Sequence, residues 1–424
     1  MSDIHSDVEK SSLNNQVTLK LFEAHGVEIE YIIVDRDSLE ICPIADTLLK
    51  DDGNVVNEVS HGEITWCNEL ARHLIEFNFS SPEKTLLGKE KLFNKNITLA
   101  NSILKNYNAM LMPTGMHPFL NPSTANVQLW PFELSEIFIT YDKIFNCKNH
   151  GWINLQSVHL NLPFSGEEEF KKLHSAIRYI LPIIPALSAS SPIVEGRPTL
   201  KMDSRLGYYQ NNQSIIPEIG AEIIPEIINS TNDYKTLILN KMYQAVSPHD
   251  PGGILQFEWL NSRGAIVRFD RSAIEIRIID SQECATADFA VLQIISSVIK
   301  WMIKEKENYF DEYHNFNLKQ MVDIFNHCIQ EGDQALIENT EYLKIFNFKN
   351  PVTAREIWSN LFDLLYTREE KKAYHLFVEE YKVHGSLASR IIKAAGNNPD
   401  KNTLIKIYRE LSYCLSDDKI FTVE

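Results

Sequence analysis

The feature that most constrains the fold of this 424-residue chain is a strand-like alternation of apolar residues with paired acids near its start. Residues two apart in a β-strand face the same side. Glu28 and Glu30 therefore share one face, and Val27, Ile29 and Tyr31 share the other. Adjacent carboxylates repel each other unless a cation lies between them. The pair indicates either a solvated strand face or one wall of a divalent-cation site.

The same alternation recurs in three later segments. Their polar pairs are Glu76 with Asn78, His159 with Asn161, and Glu275 with Arg277, each opposed to aliphatic or aromatic residues. These are residue types that bind metals and phosphates, and the Lys, Thr and Ser typical of a wet strand surface are few. The repetition predicts one sheet, with helices packed on its apolar face and a polar groove on the other.

Composition excludes several classes of partner. The net charge of −16 argues against nucleic acid and against an anionic membrane. The six cysteines are widely spaced and form no CxxC motif, which favours reduced thiols in a cytoplasmic protein. The apolar stretch at 289–303 is too short and too polar to cross a bilayer, so we expect a buried helix there.

Charge and periodicity divide the chain into three parts. We expect a disordered lead-in at 1–18, the sheet and its groove at 19–305, and a helical subdomain packed on them at 306–424. Ser81-Pro82-Glu83 predicts the start of a helix running to about Asn108. Other helices are predicted at 131–146, 167–187, 285–306 with Thr286 as cap, 318–330, 353–366, 368–383, 385–395 and 401–414.

Several further residues allow two interpretations. Glu69 suits either a strand piece beside Glu76 or a helix. His117 lies in a predicted turn, where a histidine is usually structural. Arg205 suits a surface salt bridge or a ligand contact. Arg390 suits either a basic helix face or a functional site.

Two segments also allow two interpretations each. The small hydroxyl residues at 187–192 indicate either a simple turn or a close approach of backbone to a ligand. The arginines between 263 and 277 suit either phosphate and carboxylate binding or neutralisation of nearby acids.

A groove with several carboxylates, histidine and arginine suits Mg²⁺ or Mn²⁺ bridging the phosphates of ATP. The sequence contains neither a GxxxxGK[ST] loop nor a kinase-type GxGxxG loop. If ATP is used, metal ions bound on a sheet must hold its phosphates.

These motifs together resemble glutamate–cysteine ligase family 2, the carboxylate–amine ligases, which are related in fold to glutamine synthetase. The matching segments, in order, are Gly26 to Glu30, Glu69 with Glu76 to Asn78, Gly115 to Pro118, His159 to Asn161, Leu187 to Pro192, and Glu275 to Arg277. The resemblance covers about 20–300 well and extends weakly to 387–396.

The resemblance implies an α+β fold. A curved, mainly antiparallel sheet would form a funnel-like active site with helices on its outer face, followed by a C-terminal helical subdomain. ATP with Mg²⁺ or Mn²⁺ would phosphorylate a carboxylate, such as the γ-carboxylate of glutamate, and an amine such as cysteine would then displace phosphate. Small-molecule substrates, a cytoplasmic location and a possible homo-oligomer go with this expectation.

The resemblance also implies roles for individual residues. The metal ligands would be Glu28, Glu30, Glu69, Glu76, His159 and Glu275. Arg277, His159 and Glu275 would be catalytic, and His117, Asn161 and Arg277 would bind the nucleotide. Arg205 and Asn78 would bind substrate.

The chain departs from the family pattern at two places that bear on function. Ile29 stands where the first motif usually has a third acid, and the segment after Pro192 matches poorly. The identity of the acid and the amine therefore stays open. Two other functions also stay open, a phosphotransferase of the guanidino-kinase type and a non-catalytic nucleotide or metal binder.

Overall fold

The computed structural model describes residues 19–424, so the predicted lead-in at 1–18 lies outside the described residues. The main sheet has eight strands, which are β1 Gly26–Asp35, β2 Glu58–His61, β3 Ile64–Asn68, β4 Leu74–Phe79, β5 Ala109–Met112, β6 Ser157–Pro163, β7 Ala265–Arg268 and β8 Ala273–Asp280. Their order is β7-β8-β6-β1-β4-β3-β2, and β5 pairs with the end of β1 beyond β6. All of these pairings are antiparallel.

The four segments with polar pairs are neighbours in this sheet, in the order β8-β6-β1-β4. Glu28 lies opposite Asn78 on one side and His159 on the other, and Glu30 lies opposite Glu76. Glu275 lies opposite Asn161. Because side chains opposite one another share a face, the register assembles the polar pairs on one surface. The predicted mainly antiparallel sheet with helices is confirmed.

The other face of the sheet is the apolar core. Ile29 and Tyr31 are fully buried there. Phe79 packs edge-on against Phe93 and Phe289, with ring centroids 5.3 and 6.1 Å away. Burial of side chains of this size contributes on the order of 2 kcal/mol each. The sheet is therefore fixed from behind by helices that carry these aromatic residues.

Nine helices of eight residues or more occur in the described part of the chain. They are α1 Glu90–Leu104, α2 Ser135–Phe145, α3 Gly166–Ile180, α4 Ala285–Glu305, α5 Leu318–Glu331, α6 Ala354–Leu365, α7 His375–His384, α8 Leu387–Ala395 and α9 Lys401–Asp417. The expectation that the stretch at 289–303 is too short and too polar to cross a membrane is wrong by length and composition, because it is part of the 21-residue helix α4; the expected burial is found, since most of α4 lies inside the protein.

Shorter elements complete the chain. Short hairpins pair Lys50–Asp51 with Asn54–Val55 and Ile193–Val194 with Arg197–Pro198, and a small two-stranded sheet pairs Leu336–Ile337 with Val352–Thr353. The short helical turns are Ala45–Thr47, Lys105–Tyr107, His150–Ile153, Leu181–Ile183, Ile184–Ser188, Ser204–Tyr209, Thr231–Tyr234, Lys235–Leu239, Asn240–Val246, Glu258–Leu260, Glu307–Tyr309, Phe310–His314, Gly332–Gln334, Thr340–Leu343, Lys344–Phe346 and Arg368–Ala373.

Two predicted helix starts are wrong. Helix α1 begins at Glu90 rather than near Ser81, because Glu83 exchanges two backbone hydrogen bonds with His25, of 2.7 and 2.8 Å. That bridge holds residue 83 extended. Helix α4 is capped at Cys284, and Thr286 instead donates its backbone N–H and its hydroxyl to Asp418.

The region after residue 318 is mostly helical, as the sequence predicts. Side chains of Asn317, Thr353, Thr367, Ser386 and Asp400 cap the N-termini of its helices. The expectation of a wholly helical tail is wrong at the small two-stranded sheet that pairs Leu336–Ile337 with Val352–Thr353.

Candidate active site

Glu28 is at the centre of the polar face. Its Oε2 lies 2.8 Å from Nδ1 of His159, and its Oε1 accepts a hydrogen bond of 3.2 Å from the Asn161 amide. The other ring nitrogen of His159 lies 2.9 Å from the Ser157 hydroxyl. Ser157 donates both its backbone N–H and its hydroxyl to Glu30, at 2.7 and 3.0 Å. These contacts join both acids of β1 to β6.

Two groups of potential metal ligands meet in this groove and share Glu76. One consists of Glu28, Glu76 and His159, and the other of Glu30, Glu69 and Glu76. Within each group the ligand atoms lie within 4.8 Å of one another. Glu69 is in the loop after β3, so it lies on neither a strand nor a helix.

The acids of the groove differ in protonation. Burial opposes ionisation of Glu28, but the hydrogen bond and positive charge of His159 outweigh it and lower the Glu28 pKa to about 2. Burial works against protonated His159 as well, yet Glu28, Glu275 and Glu30 raise its pKa to about 9. Burial and the nearby charge of Glu28 raise the Glu76 pKa to about 8. Burial, Glu30 and Glu76 raise the pKa of Glu69 well above its usual value.

The donor set fits a hard divalent cation. Neither Glu69 nor Glu76 forms an ion pair with any residue in 19–424. Each instead faces other carboxylates at a distance at which a shared cation would remove the repulsion. Carboxylate oxygens are suitable ligands for Mg²⁺ or Mn²⁺, and His159 would have to lose a proton to join them.

Arginines neutralise the remaining acids. Glu275 lies 2.9 Å from Nη1 of Arg268 and 3.0 Å from Nε of Arg277. Arg271 donates to Oε1 of Glu28 at 3.1 Å. Of the two interpretations of this arginine-rich segment, neutralisation of acids is the one seen for these three residues. Arg263 instead pairs with Glu226, away from these groove acids.

Both asparagines predicted for the site line the groove. Asn78 donates to Glu76 at 2.7 Å, and Asn161 donates to Glu28. The carbonyl oxygen of each amide is buried and without a hydrogen-bond partner among the described residues. A cavity of about 660 Å³ lies beside them, lined also by Glu28, Cys67 and Arg271.

Arg205 is a buried residue, so the expectation of a surface salt bridge is wrong. Its Nε pairs closely with Asp280, and its Nη1 lies 3.4 Å from the Arg277 carbonyl. Nη2 is buried without a partner among the described residues. Ser190 and Ser191, in the predicted turn at 187–192, both donate to Asp280. This turn therefore holds the carboxylate that positions Arg205.

Asp280 was missed from the sequence because a β-bulge interrupts the alternation of β8. The register with β6 shifts between Ile276 and Ile279, and both Ile278 and Ile279 are fully buried. A bulge adds one residue to a strand and re-aims the side chains that follow it. Two consecutive apolar residues after the pair Glu275 and Arg277 were the available signal. Ser157 was also not singled out, whereas Arg268 and Arg271 were identified only as members of the arginine-rich segment and not as partners of particular acids.

The prediction that His117 lines the groove and binds nucleotide is not supported by the structure. Its side chain is only 1% exposed. Nε2 lies 2.6 Å from the Leu39 carbonyl, and Nδ1 accepts from the backbone N–H groups of Phe119 and Leu120. Burial lowers the pKa of His117 to about 4. The ring therefore fixes a loop and has no nitrogen left for a ligand.

Arg390 also has a structural role, which is neither of its two predicted interpretations, a basic helix face or a site residue. It is buried, and its Nη1 donates to Glu283 and to the Phe421 carbonyl, both at 2.5 Å. Its hydrogen bond to Glu283 connects helix α8 to the segment that follows β8.

Comparisons with known proteins show the family of this chain. Residues 24–321 match the profile of glutamate–cysteine ligase family 2. The chain belongs to this family. It is also 33% identical, over 399 residues, to an uncharacterized protein of Archaeoglobus fulgidus, covering 93% of this chain and 99% of that protein.

Two solved structures share the fold at low sequence identity. One is the glutamate–cysteine ligase of Francisella tularensis in complex with AMP, with a TM-score of 0.57 and 13% identity, covering 95% of this chain and 90% of that one. The other is the ligase PafA in complex with the prokaryotic ubiquitin-like protein Pup, with a TM-score of 0.50 and 11% identity, covering 96% and 78%. The fold of this family member is therefore the glutamine synthetase-like fold.

Proposed function

We propose that this protein is an ATP- and Mg²⁺-dependent carboxylate–amine ligase. It activates an acid, with the γ-carboxylate of glutamate as our first candidate, as an acyl phosphate that an amine such as cysteine then attacks. The observation that carries the proposal is the pair of ligand groups that share Glu76, beside the Glu275–Arg277 ion pair.

The proposed chemistry needs positioned charge more than a covalent protein group. Transfer of the γ-phosphoryl group of ATP to the carboxylate yields ADP and an acyl phosphate. The amine nitrogen then forms a bond to the acyl carbon, the bond from that carbon to phosphate breaks, and the amine loses a proton. Bound divalent cations would neutralise the phosphates during transfer.

Different residues of the chain would bind the cations and stabilise the transferred phosphoryl group. Glu28, Glu30, Glu69, Glu76 and His159 would hold the cations. The Arg277 guanidinium is fixed beside Glu275 and by a hydrogen bond of 3.2 Å to the Asn261 carbonyl. A preorganised cation of this kind would stabilise the charge that develops on the transferred phosphoryl group.

Two further features support the proposal. The Francisella ligase of the same fold was solved with AMP, which makes an adenine nucleotide the natural ligand to test in the 660 Å³ cavity. The free thiols of all six cysteines suit the reducing cytoplasm, where we place the protein.

Phosphate release from Mg²⁺-ATP tests the proposal, with glutamate fixed and a panel of amines and amino acids varied, cysteine included. We also include a protein amine, because PafA was solved with the protein Pup. Release that requires both glutamate and one amine would establish the ligation and identify the amine.

The same assay separates the other functions. A phosphotransferase would transfer the phosphoryl group to its product without amine-dependent release of phosphate. A non-catalytic binder would bind ATP without turnover on any member of the panel. Product analysis by mass spectrometry, with Arg277→Ala as the inactive control, would show whether an amide has formed.

A further inference from the structure

Arg271 reaches the polar groove from the turn that joins β7 to β8. The turn residue after it, Ser272, has a φ of 49°, a left-handed conformation that few side chains adopt. The Arg271 side chain donates to Glu28 on β1 at 3.1 Å, although β6 lies between β8 and β1 in the sheet. Its side chain is 52% exposed, whereas those of Arg268 and Arg277 are 15% and 24% exposed.

The carboxylate that Arg271 holds is also a potential metal ligand. Glu28 belongs to the ligand group with Glu76 and His159. A divalent cation bound there and the Arg271 guanidinium would be like charges at one carboxylate, so each weakens the binding of the other. An ion pair of a half-exposed arginine is weak, so Arg271 is the cation that a bound metal ion would displace from Glu28.

Arg271 also lines the 660 Å³ cavity, together with Glu28, Asn78 and Asn161. Apart from Glu28, the only acid near its guanidinium among the described residues is Asp270, with Nε 3.7 Å from Oδ2. An anion entering this cavity would therefore contact an exposed, planar cation. The guanidinium fork matches phosphate oxygens, with which it forms paired charge-assisted hydrogen bonds.

We infer that Arg271 is an exchangeable counter-ion. It neutralises Glu28 while the metal site is empty, and it transfers to the phosphate groups of the nucleotide when a cation takes over Glu28. This inference rests on the proposed function, since it requires a nucleotide and a divalent cation to share the groove. It assigns a nucleotide contact to an arginine outside the pairs that the sequence pattern identified.

The exchange predicts effects of opposite sign on two ligands. In Arg271→Gln, Mn²⁺ alone should bind severalfold more tightly to nucleotide-free protein, because the competing cation is gone. Binding of a non-hydrolysable ATP analogue with Mg²⁺ should weaken about tenfold, because a phosphate contact is lost. Arg271→Lys keeps the charge, so its Mn²⁺ affinity should match that of the wild type, with nucleotide affinity between the two.

Isothermal titration measures both affinities without turnover, and Arg197→Gln, at an exposed arginine of the hairpin at 193–198, is the matched control. Affinities in Arg271→Gln that equal those of the wild type would overturn the inference, and so would a fall in both affinities, which indicates a structural role. A wild type that binds neither Mn²⁺ nor the analogue would overturn the proposed function itself. A rise for Mn²⁺ with a fall for the analogue supports the exchange.

Discussion

Replacing Glu76 by glutamine should stabilise the metal-free protein while removing its response to Mg²⁺. Glu76 is a member of both ligand groups and forms no ion pair with an arginine or lysine among the described residues, and the positive charge of His159 only partly offsets its burial. Its pKa rises from 4.5 to about 8, first because of burial and then because of the charge of Glu28. The folded state therefore keeps a proton that the unfolded chain releases.

The sign and the size of the change in stability follow from this pKa. Because the folded state binds more protons between pH 4.5 and about pH 8, stability falls as pH rises through that window. With one pKa unit equal to about 1.4 kcal/mol, the penalty is about 3 kcal/mol at pH 7 and about 5 kcal/mol above pH 8. At an unfolding entropy of about 2 cal/mol/K per residue, a gain of 3 kcal/mol raises the Tm of a chain this long by roughly 3 °C.

Thermal melts in EDTA at pH 6, 7 and 8 measure the effect. The difference in Tm between Glu76→Gln and the wild type should grow with pH, and Mg²⁺ should raise the Tm of the wild type only. Glu226→Gln is the control, because Arg263 binds that carboxylate at 2.6 and 2.7 Å and its removal should lower the Tm. A Glu76→Gln protein that melts below the wild type in EDTA at pH 8 would refute the reasoning.

Three further substitutions test other parts of the structure. Arg277→Ala should lower kcat about a hundredfold, as for loss of one preorganised donor, and a change confined to Tm would instead make Arg277 structural. Gly115→Ala would place a methyl group against the Asp280 carboxylate and break its pair with buried Arg205, at a cost of about 3–5 kcal/mol of stability. Thermal melts of Gly115→Ala measure this loss, and Gly220→Ala, whose new methyl group would contact only Ile223, is the control. His117→Ala should lower the Tm and leave the KM for ATP unchanged, because both ring nitrogens bind the backbone; a raised KM would restore His117 to the site.

The sequence was sufficient to predict the centre of the groove, since strand alternation is a local property. Once Glu28, His159 and Glu275 lie on strands, the antiparallel register brings their side chains to one face, and Glu76 follows for the same reason. Each strand also had a strongly apolar opposite face, which fixes the side that is buried. A slip by one residue would have exposed that apolar face to water.

What the sequence did not predict depends on contacts between distant segments. The Arg205–Asp280 pair joins residues 75 positions apart, across a bulge that breaks the alternation of β8. Glu69 was named as a metal ligand by the family resemblance alone, because it reaches the groove from a loop, where no periodicity exists to place it. The predicted helix start at Ser81 had good local capping residues, but the backbone pairing of Glu83 with His25 prevents it. Tertiary hydrogen bonds override local preference in each of these cases.

The distribution of cations in the groove also predicts an order of metal binding. The group with Glu28 already contains a histidine with a pKa of about 9 and is approached by Arg271. The group with Glu30 and Glu69 has no arginine or lysine ion pair among the described residues, so the repulsion between its acids raises the pKa values of Glu69 and Glu76. A first divalent cation in this second group replaces protons and relieves that repulsion, whereas binding in the first group must displace positive charge. In an Mn²⁺ titration, Glu69→Gln should therefore remove the tighter site, whereas a loss of the tighter site in Glu28→Gln instead would reverse this order.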